Sequence, residues 1–482
     1  MKIKLFIFCL LISEVVFCQK RTIYYDLSLS GYVSQEEHLP FWSVTNQNGI
    51  VPESNGGLLK IGIFSDFNPK HKIQFSYGVS TAGLLSKSNN NLLLDELYIS
   101  SKWEKIRLDL GMIHPDIEYG GISSTNGNIV HSTNVRTMPG YNLRTDFITI
   151  PWTRQILSFK FNWADYMMID NRFAHHTKLH NKSFFVKLTP LKRLELIVGL
   201  EHWAQWSGKS PVLGQQPSSF KDYLRIVAAL EGGEGASQSD IINVLGNHLG
   251  AEHLRINLHT NKFSLSFYYD IPFEDHSGLD FYNAPDATYG IYFNSKNRKQ
   301  WITEAIYELT YTKCQSGPLH DRPATPEEIA KQDPDKWYYG KIILGGNDNY
   351  FNNGEYRSGW TYYGKTIGTP FITPYAPNEK GQVLGVYNNR VLAHHWGIKG
   401  LAFLKIPYKA LFSYSRNYGT FSTPFEHPRK QFSFAIELKV PKIKSLPFNI
   451  DFGVYGDYGK LFKNNLGFNL KISRKAKLIA LK

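Results

Sequence analysis

The chain has 482 residues, 20% of them charged and 15% aromatic, and its 54 Lys and Arg outnumber 41 Asp and Glu to leave a net charge of +13. The 10 Trp, 29 Tyr and 31 Phe exclude disorder, which goes with few aromatics and many charges. Beyond the first twenty residues no apolar run approaches the roughly 18 residues of a spanning helix, so a helical membrane protein is excluded. A large β-rich secreted protein and an outer-membrane barrel remain.

At the amino terminus, Lys2 and Lys4 precede an apolar stretch from Leu5 to Ile12, with Val15, Val16 and Phe17 resuming it after Glu14. This pattern predicts a secretory signal over residues 1–18, cleaved after Cys18. The bulky Phe17 disfavours acylation of Cys18. Cleavage removes Cys9 and Cys18 and leaves Cys314 alone, so the mature chain has no intramolecular disulfide. Loss of Lys2, Lys4 and Glu14 lowers the net charge only to +12.

From there, alternation with a period of two dominates. It runs through Leu59, Ile61 and Ile63, then Ile73, Phe75, Tyr77 and Val79, then Ile106, Leu108 and Leu110. Further runs are Leu157 to Trp163, Leu194 to Leu200, Phe263 to Tyr269, Phe432 to Leu438 and Leu466 to Ile472. A sandwich and a membrane barrel share this pattern, but the joints separate them. Short joints at 68–72, 101–105, 151–154, 190–193, 260–262, 406–409 and 441–447 alternate with long ones at 86–91, 111–140, 206–250, 275–286 and 345–390. Short turns at one end and long loops at the other predict an all-β transmembrane antiparallel barrel over 19–482, of about 16 to 18 strands. Trp103, Trp152, Tyr408, Tyr455 and Tyr458 at strand ends are expected in interfacial girdles.

Helical signals interrupt the hairpins. Ser219 is a predicted cap for a helix with Phe220, Tyr223, Leu224 and Val227 on one stripe, ended by Gly232 and Gly233. Ser237 or Ser239 opens a second, and the insert spans about 219–246. Thr325, Pro326 and Glu328 form a capping box for a third.

Catalytic and cofactor motifs are not apparent. Gly232-Gly233-Glu234-Gly235 lacks the Gly-Lys-Ser/Thr of a nucleotide cradle. The adjacent pairs His175-His176 and His394-His395 point to opposite faces of a strand, which is poor geometry for one metal. His202 and His253 lie near Glu201 and Glu252 without a nucleophile elbow, so a barrel hydrolase stays only as an alternative. No cofactor, metal or nucleic-acid partner is expected. The basic balance suits acidic surface glycans or lipopolysaccharide phosphates, or else a solvated lumen and rim.

The richest candidate site is the loop over 345–373. Asn347, Asp348, Tyr350, Tyr356, Arg357, Trp360 and Tyr362 combine amide, carboxylate, guanidinium and rings. Sugar rings stack on aromatics and their hydroxyls bond to amides and carboxylates. The same loop folded inward would plug the barrel, and the two readings are compatible.

Several stretches together resemble the Wzi family of capsule-assembly proteins in its Bacteroidetes-type form. They are Glu37-His38-Leu39-Pro40-Phe41-Trp42, Gly199-Leu200-Glu201-His202-Trp203-Ala204-Gln205-Trp206, the insert at 220–250, Tyr269-Asp270-Ile271-Pro272-Phe273-Glu274-Asp275, Gln315-Ser316-Gly317-Pro318 and the loop at 346–370. The resemblance implies an 18-stranded outer-membrane barrel with a helical insertion at the periplasmic end. It also implies a non-enzymatic, lectin-like role in holding capsular polysaccharide at the cell surface. A porin or glycan exporter is the rival of a different class. The terminal Arg474-Lys475-Ala476-Lys477 departs from the usual terminal aromatic, so a basic tail after the barrel or a relaxed insertion signal is expected.

Overall fold

The protein is described by a computed structural model covering residues 22–480 except 88–89, 234, 238–239, 242–243, 334–335 and 444. The expected signal segment, and part of the second helix of the insert, lie outside the described residues. Eighteen antiparallel strands close into a barrel. In chain order they are β1 (Thr22–Ser34), β2 (Gly56–Ser65), β3 (Ile73–Ser86), β4 (Asn90–Trp103), β5 (Ile106–Met112) and β6 (Gly140–Thr145 with Ile148–Thr149). There follow β7 (Leu157–Met167), β8 (Lys178–Leu191), β9 (Leu194–Trp206), β10 (Asn247–His259), β11 (Phe263–Phe273) and β12 (Ala287–Ser295). The last six are β13 (Glu304–Tyr311), β14 (Val391–Ala402), β15 (Ile406–Gly419), β16 (Pro424–Lys439), β17 (Asn449–Gly459) and β18 (Asn465–Ala480). Both pieces of β6 pair with β7, so they form one interrupted strand. Pairing of β18 with β1 from Thr22↔Ala480 to Ser34↔Gly467 closes the ring and leaves no edge. Arg474, Lys475 and Lys477 are members of this last strand, opposite Leu27, Asp26 and Tyr24. The basic segment therefore closes the barrel and is not a tail beyond it.

The alternating residues sort as expected. Leu59, Ile61, Ile63, Val79, Leu110, Val198, Leu200, Ile436 and Phe468 are exposed on the outer wall, whereas Ser28, Ser30, Ser80, Asp109 and Ser433 are buried inside. An apolar belt exposed on a closed barrel is a lipid-facing surface. Trp103 and Trp152 stand exposed at the short-turn end and Tyr458 at the other, but Tyr455 faces inward and is buried. Tyr455 is thus a lumenal residue, because its position in β17 has the parity of Asp457 and not of Tyr458. Ile61, 48% exposed on the outside of β2, gives a direct check. Ile61→Arg is expected to lose about 2–4 kcal/mol of folding free energy near the bilayer midplane, read from reversible folding into lipid vesicles.

Odd-numbered strands run away from the end that holds Thr22 and Ala480, so connections after even-numbered strands share that end. These are short, such as 104–105, 192–193, 260–262 and 403–405. The opposite end carries 35–55, 113–139, 207–246 and 312–390. Short turns face the periplasm and long loops the exterior. The helical insert follows β9 and therefore stands at the outer end, with the long loops, and not at the periplasmic end. Its helix, Phe220–Ala228, has the expected Ser219 cap in a box with Asp222, but it stops at Ala229, which adopts a left-handed φ of 50°. The buried residue is Ile226, packed on Ala204 and Trp206 of the outer wall and on Leu245 of the insert itself, while Phe220 and Leu224 are exposed. The insert is a strap laid over β7 to β9, with the Tyr223 hydroxyl donating to Asp165 on β7 at 2.9 Å and Lys182 Nζ on β8 donating to the Val227 carbonyl. Thr325 caps Pro326–Lys331 through the expected box with Glu328. That helix belongs to the long connection over 312–390, which is wider than the segment starting at 345 suggests.

Candidate functional site

Many inward residues of the wall are small and polar, so much of the apolar packing in the lumen comes from loops. Residues 113–139 and 312–390 supply it. Ile129, Val130, Val135 and Met138 from the first join Tyr350, Phe351, Trp360, Tyr362, Ile367, Ile372 and Val386 from the second in one buried cluster against Leu179, Trp203 and Leu249 of the wall. A second cluster seats Trp42 and Ile122 on Tyr268, Ile306 and Phe371.

Polar groups latch these loops to each other and to the barrel. The Glu308 carboxylate, buried on β13, accepts from Ser123 Oγ at 2.5 Å, from Ser124 N and Oγ at 2.6 Å each, and from the Tyr268 hydroxyl. Trp360 Nε1 donates to the Val130 carbonyl at 2.7 Å, and Ser132 N to the Ile367 carbonyl at 2.8 Å. Gln205 Nε2 on β9 donates to the Gly359 carbonyl at 3.1 Å, and the Tyr356 hydroxyl to the Ser207 carbonyl at 3.2 Å. His395 is held between Ser413 Oγ and the Ile122 carbonyl at 2.8 Å each, while its neighbour His394 faces the other side, against the Tyr307 hydroxyl. As expected, that pair cannot share a metal.

The candidate residues of the long loop separate into two groups. Asp348, Tyr350, Tyr356, Trp360 and Tyr362 are buried, Trp360 at 1% exposure, and form the plug. Asn347 and Arg357 are exposed, as are Asn349 and Tyr363 of the same loop. Arg357 lies 5.0 Å above the Phe173 ring, and Arg136 lies 4.1 Å above Tyr363.

Beneath Asn347 is a set of carboxyl groups at the root of the plug. Asp348 bonds to Ser316 Oγ at 2.6 Å, Asp286 accepts from the backbone N–H groups of Cys314 and Gln315 at 2.8 and 2.7 Å, and Glu274 accepts from Phe351 N at 2.8 Å. Burial, reinforced by the neighbouring Asp275, raises Asp348 to about 6. Burial raises Asp286 to about 7 against those two N–H donors, and burial and Asp348 push Glu274 well above the carboxylate range.

A lumenal cavity of about 290 Å³ lies between residues 113–139 and the inner faces of β5 to β10. It runs from Trp203, His131 and Val135 at the plug to Phe147 and Lys160 near the periplasmic turns. His131 stacks on Trp203 at 4.8 Å. Glu201 on the same wall accepts from Asn128 Nδ2 at 2.5 Å and Trp203 Nε1 at 2.8 Å, and it faces His253, which bridges to Asp270 at 2.7 Å. For metals, Asp95, Glu96 and His114 bring ligand atoms within 4.8 Å of one another, with Asp95 and Glu96 both turned inward at a bulge in β4. Lys60 Nζ sits 2.6 Å from Asp95, so an ion pair occupies that carboxylate.

The family described as capsule assembly protein Wzi matches residues 30–322, more than half of the chain. The chain belongs to the Wzi family. Wzi of Escherichia coli, solved as a carbohydrate-binding outer-membrane β-barrel involved in group 1 capsule assembly, aligns over 97% of this chain and 87% of its own at 13% identity, with a TM-score of 0.57. Pseudomonas aeruginosa OccK3 and Acinetobacter baumannii OccAB2 each cover 95% of this chain, and 96% and 98% of their own lengths, at 8% and 9% identity and TM-scores of 0.48. Among curated proteins none matches. With its apolar belt and closed ring, this Wzi-family barrel is an outer-membrane protein.

Sequence reasoning missed the cavity residues Lys160, Arg255, His131 and Asn142. A signal was present: Lys160 interrupts Phe159 and Phe161, and Arg255 interrupts Leu254 and Ile256, which sets both cations on inward positions. The Wzi-family stretch from Glu201 to Trp206 is buried on both faces. Its inner side meets the plug and its outer side the helical strap, which explains why aromatic residues and histidine replace the usual alternation there.

Proposed function

We propose that this chain assists capsule assembly as a non-enzymatic plugged barrel that holds capsular polysaccharide at the cell surface, set among outer-membrane lipid and lipopolysaccharide. The observation that carries the proposal is the interlocked pair of lumenal loops. A barrel filled by latched side chains is built to present a surface, not to pass solute. In this reading Asn347 and Arg357 contact glycan at the outer rim. Asp348, Tyr350, Tyr356, Trp360 and Tyr362 fix the shape of the loop that carries them. Amide and guanidinium donors suit sugar hydroxyls and carboxylates.

The test is the ratio of cell-bound to shed polysaccharide in a deletion strain complemented with variants. Deletion is expected to move most of the polysaccharide into the medium, and the full chain to restore it. The double variant Asn347→Ala with Arg357→Ala is expected to restore it only in part. An unchanged ratio on deletion would sink the retention role. Full restoration by the double variant would remove those two residues from the site.

A further inference from the structure

We propose that the lumenal cavity is a second saccharide site, selective for a sugar unit bearing a carboxylate or phosphate, with Lys160 and Arg255 as its anion-recognising groups. This inference rests on carbohydrate as the ligand class but concerns a place inside the wall, away from the outer rim. Both residues line the cavity, and among the described residues neither has a carboxylate within ion-pair distance. Other charges on the same wall are already matched. Arg144 pairs with Asp109 at 3.2 Å and Asp116 at 2.6 Å, Arg107 takes the other side of Asp109 at 2.6 Å, and Glu201 faces His253 at 3.3 Å. Arg136 is stacked on Tyr363, which leaves Glu118 as the one lining carboxylate without an ion pair among the described residues.

Lys160 and Arg255 have no carboxylate in contact, and Glu118 acts on both only from beyond ion-pair distance. Arg255 gives one N–H to the Gly127 carbonyl at 3.0 Å, while its Nε, buried, finds no partner among the described residues. The Asn142 Oδ1 and His114 Nδ1 atoms on the same wall are also buried and unpartnered. A buried polar atom without a partner is costly, and residues carrying three of them line this one cavity. Lys160 Nζ lies 5.8 Å from the Phe185 ring centroid, and Phe185, Phe147 and Trp203 add apolar walls for a sugar face. The cavity volume is at the lower end of the roughly 300–1,000 Å³ of small-ligand clefts, which fits a short saccharide segment. An acidic oxygen would take charge-assisted bonds from the two cations, and ring hydroxyls would meet Asn142, Asn162, Asn181 and Ser183.

Calorimetry on the full chain in detergent tests this with three probes: a glucuronate-containing disaccharide, its carboxyl-reduced neutral counterpart, and galactose 6-phosphate. At least one anionic probe is expected to bind ten times more tightly than the neutral one, and the better of the two identifies the acid group. Lys160→Gln with Arg255→Gln, checked for folding by heat-modifiable migration, is expected to lose that preference, and Lys160→Arg to keep it. Equal binding of acidic and neutral probes, no binding of either, or an unchanged preference in the double variant would each overturn the site. Cell-surface retention is scored separately in the same strains. Retention without acid preference would defeat this inference alone, whereas acid preference without any retention would defeat only the capsule-holding role.

Discussion

Excising residues 347–385 and joining Gly346 to Val386 through a flexible Gly-Ser linker is expected to raise single-channel conductance at least tenfold over the parent chain in a planar bilayer. The excision removes Tyr350, Phe351, Trp360, Tyr362, Ile367 and Ile372 from the lumenal cluster and strips Ile129 and Val130 of their main apolar partners. It also removes the acceptor of Gln205 and the donor to the Val130 carbonyl. Residues 113–139 would then be held by Glu308 together with His395 on the Ile122 carbonyl, Glu201 on Asn128 and Arg255 on the Gly127 carbonyl. Adding Glu308→Ala deletes the acceptor of four hydrogen bonds and leaves the Ser124 N–H unpaired, a loss of about 3 kcal/mol or more on general grounds. The combined variant is expected to conduct more, and more noisily, than the excision alone. A silent excised barrel would show that residues 113–139 seal the lumen without the long loop, and the plug would have to be reassigned to them.

Much of this architecture was legible because a barrel wall obeys a short-range rule. The alternation at Leu59 to Ile63 or Leu466 to Ile472 reports its own two faces, and joint lengths report which end is which. The cap at Ser219 and the capping box at Thr325 are equally local. What escaped is set by tertiary contacts. Tyr455 reads like a girdle aromatic until its register with Asp457 fixes it inward. Phe220 and Leu224 read like the buried stripe of a helix, yet Ile226 is what the outer wall of β9 covers. The candidate site shows the same division. Clustered rings and amides at 347–362 mark an important loop, but sequence cannot distinguish an aromatic that stacks on sugar from one that fills a lumen. Long-range bonds such as Trp360 to Val130 make that distinction. Lys160 and Arg255 look ordinary one at a time, and become a site only when barrel closure brings β7 and β10 around one cavity.

Docking of the long loop is expected to tighten in acid and loosen toward neutral pH. Asp348, Asp286 and Glu274 lie in connections outside the spanning strands, and burial raises all three, Asp348 to about 6 and Asp286 to about 7 from the ordinary 3.8. A carboxyl whose pKa is raised on docking binds its proton more firmly in the docked state. Its contribution is complete below the undocked value near 4 and is lost as pH climbs through 6 to 7. For Asp348 the shift corresponds to about 3 kcal/mol, and the three do not add independently because Asp348 repels Glu274 directly. Hydrogen exchange across residues 346–372, corrected for the intrinsic pH dependence of the chemistry, measures the effect. Protection is expected to be strong at pH 4.5 and at least tenfold weaker at pH 8. Asp348→Asn keeps the shape of that side chain while removing its ionisable proton and its repulsion of Glu274, and is expected to retain more protection at pH 8 than the parent chain. Equal protection at both pH values in the parent chain would mean that the backbone donors to Asp286 and the Ser316 hydroxyl on Asp348 carry the ionised carboxylates without loss.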